Sequence, residues 1–275
     1  MSDGPATPRD VRPAQPVLKG ARGVFDLSLE GMVWSRRSLL MSVFLGLPIA
    51  FGVLYRAVLA AKLPAQVSGF DLYGYIVAFY YVRTVLPLAA LFYASSLVAD
   101  EVEGRTLTYL LTRPIRRASI LIGKFAAYLA AVLALTLPAT VVTFFLLATA
   151  RGFAGVGSAV PDLLRDMGVI TLTLVVYGAL FALLGVVLRR PVVPGLLFLF
   201  AWELVANLPG YLPRLTITAY LRSLLRHRPP AAGLATVFGE VLPAPLCLGV
   251  LASLIVLLLA AAIGIFSRRE YVLEQ

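Results

Sequence analysis

The residues with the most to say about chemistry sit in one polar stretch, 100–124, which reads DEVEGRTLTYLLTRPIRRASILIGK between two long apolar runs. Acids come first: Asp100, Glu101 and Glu103. Gly104, Arg105 and Thr106 follow, then Leu107, Leu110 and Leu111 at helical spacing, and Pro114 flanked by Arg113, Arg116 and Arg117. On a helical wheel the three leucines form a stripe roughly 100° wide, with Arg105, Thr108 and Thr112 opposite. The acids precede the first turn, where the helix dipole favours negative charge. Pro114, with the restricted residue before it, ends the helix. The pattern predicts a short amphipathic helix held at a membrane surface by the spans on either side. Its chemistry is recognition rather than bond-making. Such a helix either rests on lipid headgroups or fits a groove on a soluble partner, and the pattern alone leaves both open.

Three further ionisable residues, Arg56, Arg83 and Glu203, fall inside apolar runs. A charge at membrane depth costs roughly 3 kcal/mol on insertion scales and usually faces the protein interior. Arg56 lies near the end of its run and can reach outward. Arg83 lies deeper, and Glu203 sits about two thirds along a later run. Their similar depth on the outer side allows Arg83 and Glu203 to pair, and the two read either as structural charges that fix helix packing or as part of a substrate path.

Covalent chemistry is poorly supplied. No GxxxxGK[ST] phosphate loop occurs, so ATP hydrolysis by this chain alone is not expected, and HExxH, GxSxG and a dinucleotide fingerprint are absent too. The one histidine, His227, stands between Arg226 and Arg228 and reads as a solvated surface residue. That argues against a Ser-His-Asp hydrolase, a histidine-rich metalloprotease and a histidine-dependent phosphatase. Aspartyl proteolysis needs two facing carboxylates at depth, and only Glu203 is expected there. The single cysteine, Cys247, rules out an internal disulfide and a multi-cysteine zinc site. No metal and no cofactor is expected on this chain.

The elements that must position these residues are membrane helices. Apolar residues make up 60% of the chain and mean hydropathy is +0.90, beyond the usual composition of soluble domains. Residues 1–23 are rich in Pro, Gly, Ala and charge and are expected to be a disordered tail. Phe25, Leu29, Met32 and Val33 share a helical face, which fits either an interfacial helix before the first span or an extension of that span. Six apolar runs follow, near 39–61, 74–99, 120–149, 168–188, 192–208 and 241–267. Each reads as a span, the fifth short and the third long enough to tilt. The fold class expected is an all-α membrane protein, with residues 24–275 forming one six-span domain. Prolines inside the runs are tolerable where neighbouring helices satisfy the freed backbone groups.

Net charge is +10, but the basic residues flank apolar runs, so they point to topology and anionic headgroups rather than nucleic acid. With a cytoplasmic N-terminus, 15 Lys and Arg fall in inside segments and 7 in outside segments, with Arg56 and Arg83 left in the spans. The excess predicts both termini inside, and the 100–124 stretch with them. On the outer side, Ile217, Tyr220, Leu221, Leu224 and Leu225 recur at helical spacing, followed by Pro229 and Pro230. They predict an amphipathic helix on the outer surface between spans five and six, either an interfacial anchor or a lid over an exit path.

The 100–124 stretch resembles the first cytoplasmic loop of ABC-2 type permeases, the membrane subunits of ATP-binding-cassette exporters. The matching residues are Glu101 and Glu103, Gly104-Arg105-Thr106-Leu107, Leu110-Leu111, Pro114, Arg116 or Arg117, and Gly123-Lys124. A weaker echo lies at Trp202-Glu203 and Leu208-Pro209. The resemblance implies that this loop is the coupling helix contacting a separate ATPase subunit, with ATP and Mg on that partner. Residues 101–114 would carry the contact: Leu107, Leu110 and Leu111 in its buried part, Glu103, Arg105 and Arg113 at its rim. It also implies a second permease copy or a paralogue beside this one, and a multi-pass protein of a bacterial-type inner membrane. Substrate would pass between permeases, along spans two and five. A membrane-embedded enzyme acting on lipid, and a polytopic scaffold or secondary transporter, are the other classes. No internal repeat is evident, which weighs against an inverted-repeat transporter.

Overall fold

The computed structural model describes residues 23–29, 36–62, 67–97, 117–153, 155–188, 190–206, 212–226 and 242–268. Every element among them is helical. Residues 23–29 form α1. The long helices are α2 (Arg36–Ala60), α3 (Gly69–Ala94), α4 (Arg117–Ala148) and α5 (Val156–Val187). A shorter α6 (Val192–Ala206), a 3₁₀ turn (Leu212–Leu215) and α7 (Ile217–Leu224) lead to α8 (Ala244–Arg268).

Five of these helices, α2, α3, α4, α5 and α8, are long and apolar enough to cross a membrane among the described residues. The fifth apolar run forms α6, whose 15 residues reach about 22 Å, short of a hydrocarbon core of about 30 Å. In α1, Val24 is the buried residue, while Phe25 and Leu29 are half-buried.

The helices sort by burial. α3 and α5 are largely enclosed, whereas α2 and α8 expose most of their apolar surface. α2 lies along α4, α8 along α5, and the second half of α3 along α5. Backbones approach closely where glycine allows it. A Cβ on Gly69 would stand 2.2 Å from the Leu147 carbonyl oxygen, and one on Gly185 2.3 Å from that of Ser95. Small residues at such crossings are how membrane helices gain contact without a hydrophobic driving force between them.

α3 is not a plain α-helix. Its middle, Ile76–Val85, is a π-helix. The Leu86 amide bonds back to the Tyr81 carbonyl, and the Thr84 hydroxyl donates to the Phe79 carbonyl at 3.0 Å. Pro87 follows at once and has no amide with which to hold the ordinary register at Arg83. The wider helix lets two consecutive tyrosines reach α2. Tyr80 donates to the Phe44 carbonyl at 2.6 Å and Tyr81 to that of Leu45 at 2.8 Å.

The fourth span begins earlier than expected. The apolar run opens at 168, after the charges; the helix opens at Val156 and carries Asp162, Arg165 and Asp166 inside it. These charges do not end the helix because each meets the protein rather than hydrocarbon, as described below.

Candidate functional site

The connector expected to carry function lies between Leu97 and Arg117. Glu101, Glu103, Gly104, Arg105, Thr106, Leu107, Leu110, Leu111, Arg113 and Pro114 lie outside the described residues. What is described is the frame beneath them. Lys124, on the first turns of α4, is 8% exposed, and its ammonium donates to the Leu97 carbonyl at 2.6 Å. That carbonyl lies three residues beyond the end of α3 at Ala94. Two residues earlier, Ser95 is fully buried, its hydroxyl turned back to the Leu91 carbonyl and its own carbonyl pressed against Gly185 of α5. Three helices are thus joined where the connector departs: α3 by its last carbonyls, α4 by Lys124, α5 by Gly185.

The intramembrane charges fall into different environments. Arg56, which the sequence allows to reach outward, is exposed and binds the end of α4, with Nε donating to the Leu146 carbonyl at 2.8 Å and a terminal nitrogen to the Thr149 hydroxyl. It caps the Leu146 carbonyl, one of the last of that helix. Arg83 projects from the π segment, its guanidinium 5.6 Å from the centre of the Phe79 ring. Arg222 of α7 approaches the same ring at 5.9 Å. Glu203 is placed on α6, but its side chain is outside the described positions, and so is the pairing with Arg83 that the sequence allows.

Sequence reasoning missed a fourth charge. Asp166 is fully buried in α5, and its carboxyl interacts with the Tyr73 hydroxyl of α3, which is itself enclosed and packs edge-on against Phe144 at 5.1 Å. The signal was available. Leu163, Asp166, Ile170, Thr173 and Tyr177 recur at alternating three- and four-residue steps and are all buried, so Asp166 sits on the inward stripe of an amphipathic helix. Stopping the span at the first charge hid it.

α7 holds a related position. Its amphipathic pattern is as expected, but the apolar face is turned to protein: Ile217, Thr218, Leu221 and Leu224 are buried, and the helix packs against α8 and the π segment. Thr216 caps its first turn, accepting from the Ala219 amide at 3.3 Å. The Thr218 and Tyr177 hydroxyls lie 3.0 Å apart. Arg165 donates to the Leu224 carbonyl at 2.7 Å, and Arg226 pairs with Asp162 at 2.7 Å. The hydrogen bond and charge of Asp162 raise the pKa of Arg226 above its ordinary value. Among the described residues, no group of three His, Cys, Asp or Glu could hold a metal ion.

The described residues thus give a long apolar bundle, two guanidinium groups at one exposed aromatic ring, and a three-helix contact near the ends of the connector. Comparison with known proteins places the chain in a family. No curated protein matches the chain. The family profile described as ABC-2 family transporter protein matches residues 35–271, which takes in every long helix, the connector and α7. The chain belongs to the ABC-2 family of transporters and is a multi-pass membrane permease.

Proposed function

We propose that this chain is the permease subunit of an ATP-driven exporter, and that the 100–114 segment is its coupling helix. The observation that carries the reading is the joint at Leu97, Lys124, Ser95 and Gly185, in a chain of a transporter family that has no phosphate loop of its own. An ATPase subunit on a separate chain supplies ATP and Mg. It seats Leu107, Leu110 and Leu111 in a groove, while Glu101, Glu103, Arg105 and Arg113 form a polar rim. Gly104 and Thr106 start the helix and Pro114 ends it. Closure of the ATPases pushes the helix, and the joint passes the push into α3, α4 and α5 together, which supports a rigid-body change between two states.

In this proposal α6 completes a six-span plan, with both termini and the coupling segment in the cytoplasm of a bacterial-type cell and α7 toward the outer side. A second copy or a paralogue completes the transport unit. Arg83 lines the substrate path between them, with Glu203 on the adjoining helix.

The test is co-purification. Tagged protein, gently solubilised, is compared with a Leu107→Asp/Leu111→Asp double variant that keeps its elution volume and helical content. The proposal expects an ATPase with the wild type and its loss from the variant. A variant that retains the ATPase removes the coupling role of these leucines. A wild type that brings none down removes the exporter reading.

A further inference from the structure

Through the middle of α3 the exposed positions are Tyr75, Phe79 and Thr84, while Val77 and Val82 between them are fully buried. An α-helix advances about 100° per residue and would set Thr84 about 180° from Tyr75, on the opposite face. The π register of Ile76–Val85 keeps both on one side. π turns are rare, usually single, and frequent at functional sites; here they run through ten residues. Three side chains hold them. The Thr84 hydroxyl donates to the Phe79 carbonyl, five residues back, whereas Thr136, Thr140 and Thr143 of α4 each donate four residues back, as an α-helix requires. Tyr80 and Tyr81 donate to the Phe44 and Leu45 carbonyls of α2.

Both ends of this stretch are pinned by backbone contact, Gly69 against Leu147 of α4 and Ser95 against Gly185 of α5. Pinned ends fix the number of residues and turns between them, but not where the wide turns lie. Wide turns can move along a helix, each residue they pass rotating while the ends stay. On the inner side stands Pro87, which has no amide to lose in either register. The side chains that would trade places suit both settings. Val82, turned outward, is accepted by hydrocarbon, and Thr84, turned inward, can donate four residues back as the threonines of α4 do. We infer that the π segment is the movable element of this fold. With the Tyr80 and Tyr81 bonds to α2 made, the wide turns lie at Ile76–Val85. With those bonds broken they shift toward the inner end, 76–84 takes the α register, Val82 turns outward and Thr84 inward, and the contacts at Gly69 and Ser95 persist. The segment touches α2, α5 and α7, so the shift alters what α3 presents to α7 while the joint at Ser95 keeps its form. Only the place of this shift in a transport cycle rests on the transport reading.

The register can be measured on the full chain in nanodiscs without an ATPase, so failure here is distinct from failure of the coupling test. In a Cys247→Ala background, one cysteine at a time replaces Val82, Thr84, Leu72 or Ser96 and carries a trifluoromethyl tag, small enough for a buried site. Fluorine NMR with dissolved oxygen reads the exposure of each tag. With both tyrosines present, position 84 is expected to be more exposed than 82. In Tyr80→Phe/Tyr81→Phe the order is expected to reverse, with 72 and 96, which flank the moving stretch, unchanged. Pro48→Ala removes no hydroxyl but returns an amide that competes with Tyr80 for the Phe44 carbonyl. It is expected to shift 82 and 84 in the same direction by a smaller amount, and it decides the matter if the double variant does not fold.

Four results would overturn the inference. Position 82 as exposed as 84 with both tyrosines present would remove the π register itself. An unchanged order in a double variant that elutes as its parent would mean that the tyrosines do not hold the wide turns. A rise at 72 and 96 together with 82 would mark general loosening of α3 rather than movement of its wide turns. A Pro48→Ala protein with no shift at 82 or 84 would uncouple the register from the carbonyls of α2.

Discussion

The Tyr80 hydroxyl donates to the Phe44 carbonyl, the acceptor four residues before Pro48 that a proline leaves without an amide partner. Tyr81 supplies the next carbonyl, Leu45. The proline in the first span and the two tyrosines in the second are therefore one device. Pro48 lies inside α2 and leaves an acceptor in an apolar setting, where an unpartnered carbonyl is expensive, and the π segment presents two donors at the right height. Tyr80→Phe is expected to cost about 1 kcal/mol. In a Pro48→Ala background the restored backbone amide takes the Phe44 carbonyl, and the cost of Tyr80→Phe should fall by at least about 0.5 kcal/mol. Equilibrium unfolding of the four proteins in lipid measures this coupling, and equal costs in both backgrounds would separate the proline from the tyrosine.

Gly185 and Gly264 make a controlled comparison. A Cβ on Gly185 meets the Ser95 backbone at 2.3 Å, while one on Gly264 meets nothing within 4 Å. Backbone cannot rotate away as a side chain can, so α3 and α5 must separate. Gly185→Ala is expected to destabilise by about 1–3 kcal/mol. Gly264→Ala, in the interior of α8, is expected to be neutral or to stabilise by up to about 1 kcal/mol. Thermal unfolding of both variants decides this. The same separation loosens the joint at the connector, so Gly185→Ala should also weaken capture of the ATPase while Gly264→Ala does not.

These residues show where the fold was readable from sequence. α4 and α8 were visible as apolar runs within about three residues of their ends, because length and hydropathy decide a span. The start of α5 was not, because a charge reads as an end of span unless its partner is known, and the partners of Asp162, Arg165 and Asp166 lie on α3, on α7 and just after it. The π register of α3 left no mark in periodicity; it arises from Pro87 and from the carbonyls near Pro48, a relation between two helices. At the candidate site, Arg83 was legible as a charge at depth. Arg222 was not, since the sequence placed it on an outer loop and only the packing of α7 brings it to Phe79. Lys124 was legible as part of a motif but not as the tie to Leu97.

That tie gives a prediction of its own. Lys124 is buried with its ammonium on a carbonyl, and a hydrogen bond from a charged donor contributes about 1.5–3 kcal/mol. Lys124→Met keeps the length of the stem and removes the donor. It is expected to lower stability by about that amount and to free the last turn of α3. Hydrogen exchange should show faster exchange of amides at 93–97 in Lys124→Met, with those at 170–180 in α5 unchanged. Uniform acceleration across both regions would mean that Lys124 supports the whole bundle rather than the joint.

The pair Arg226–Asp162 differs from the buried contacts and should respond differently to pH. Arg226 is exposed, and its pKa is raised above the ordinary arginine value by Asp162. A cation whose folded pKa is raised stabilises the fold below its ordinary pKa and loses that contribution only as pH rises through the folded value. The ordinary arginine value already lies far above pH 9, so the contribution of Arg226 is constant across pH 6 to 9. Exposed pairs are also weak and screened by salt. Arg226→Gln is therefore expected to change the unfolding midpoint by the same small amount at pH 6, pH 7.5 and pH 9, and by less at 0.5 M salt than at 0.05 M. Midpoints of wild type and variant across that grid check both statements. A difference that grows with pH inside this window would mean that Arg226 is read by a second titrating group.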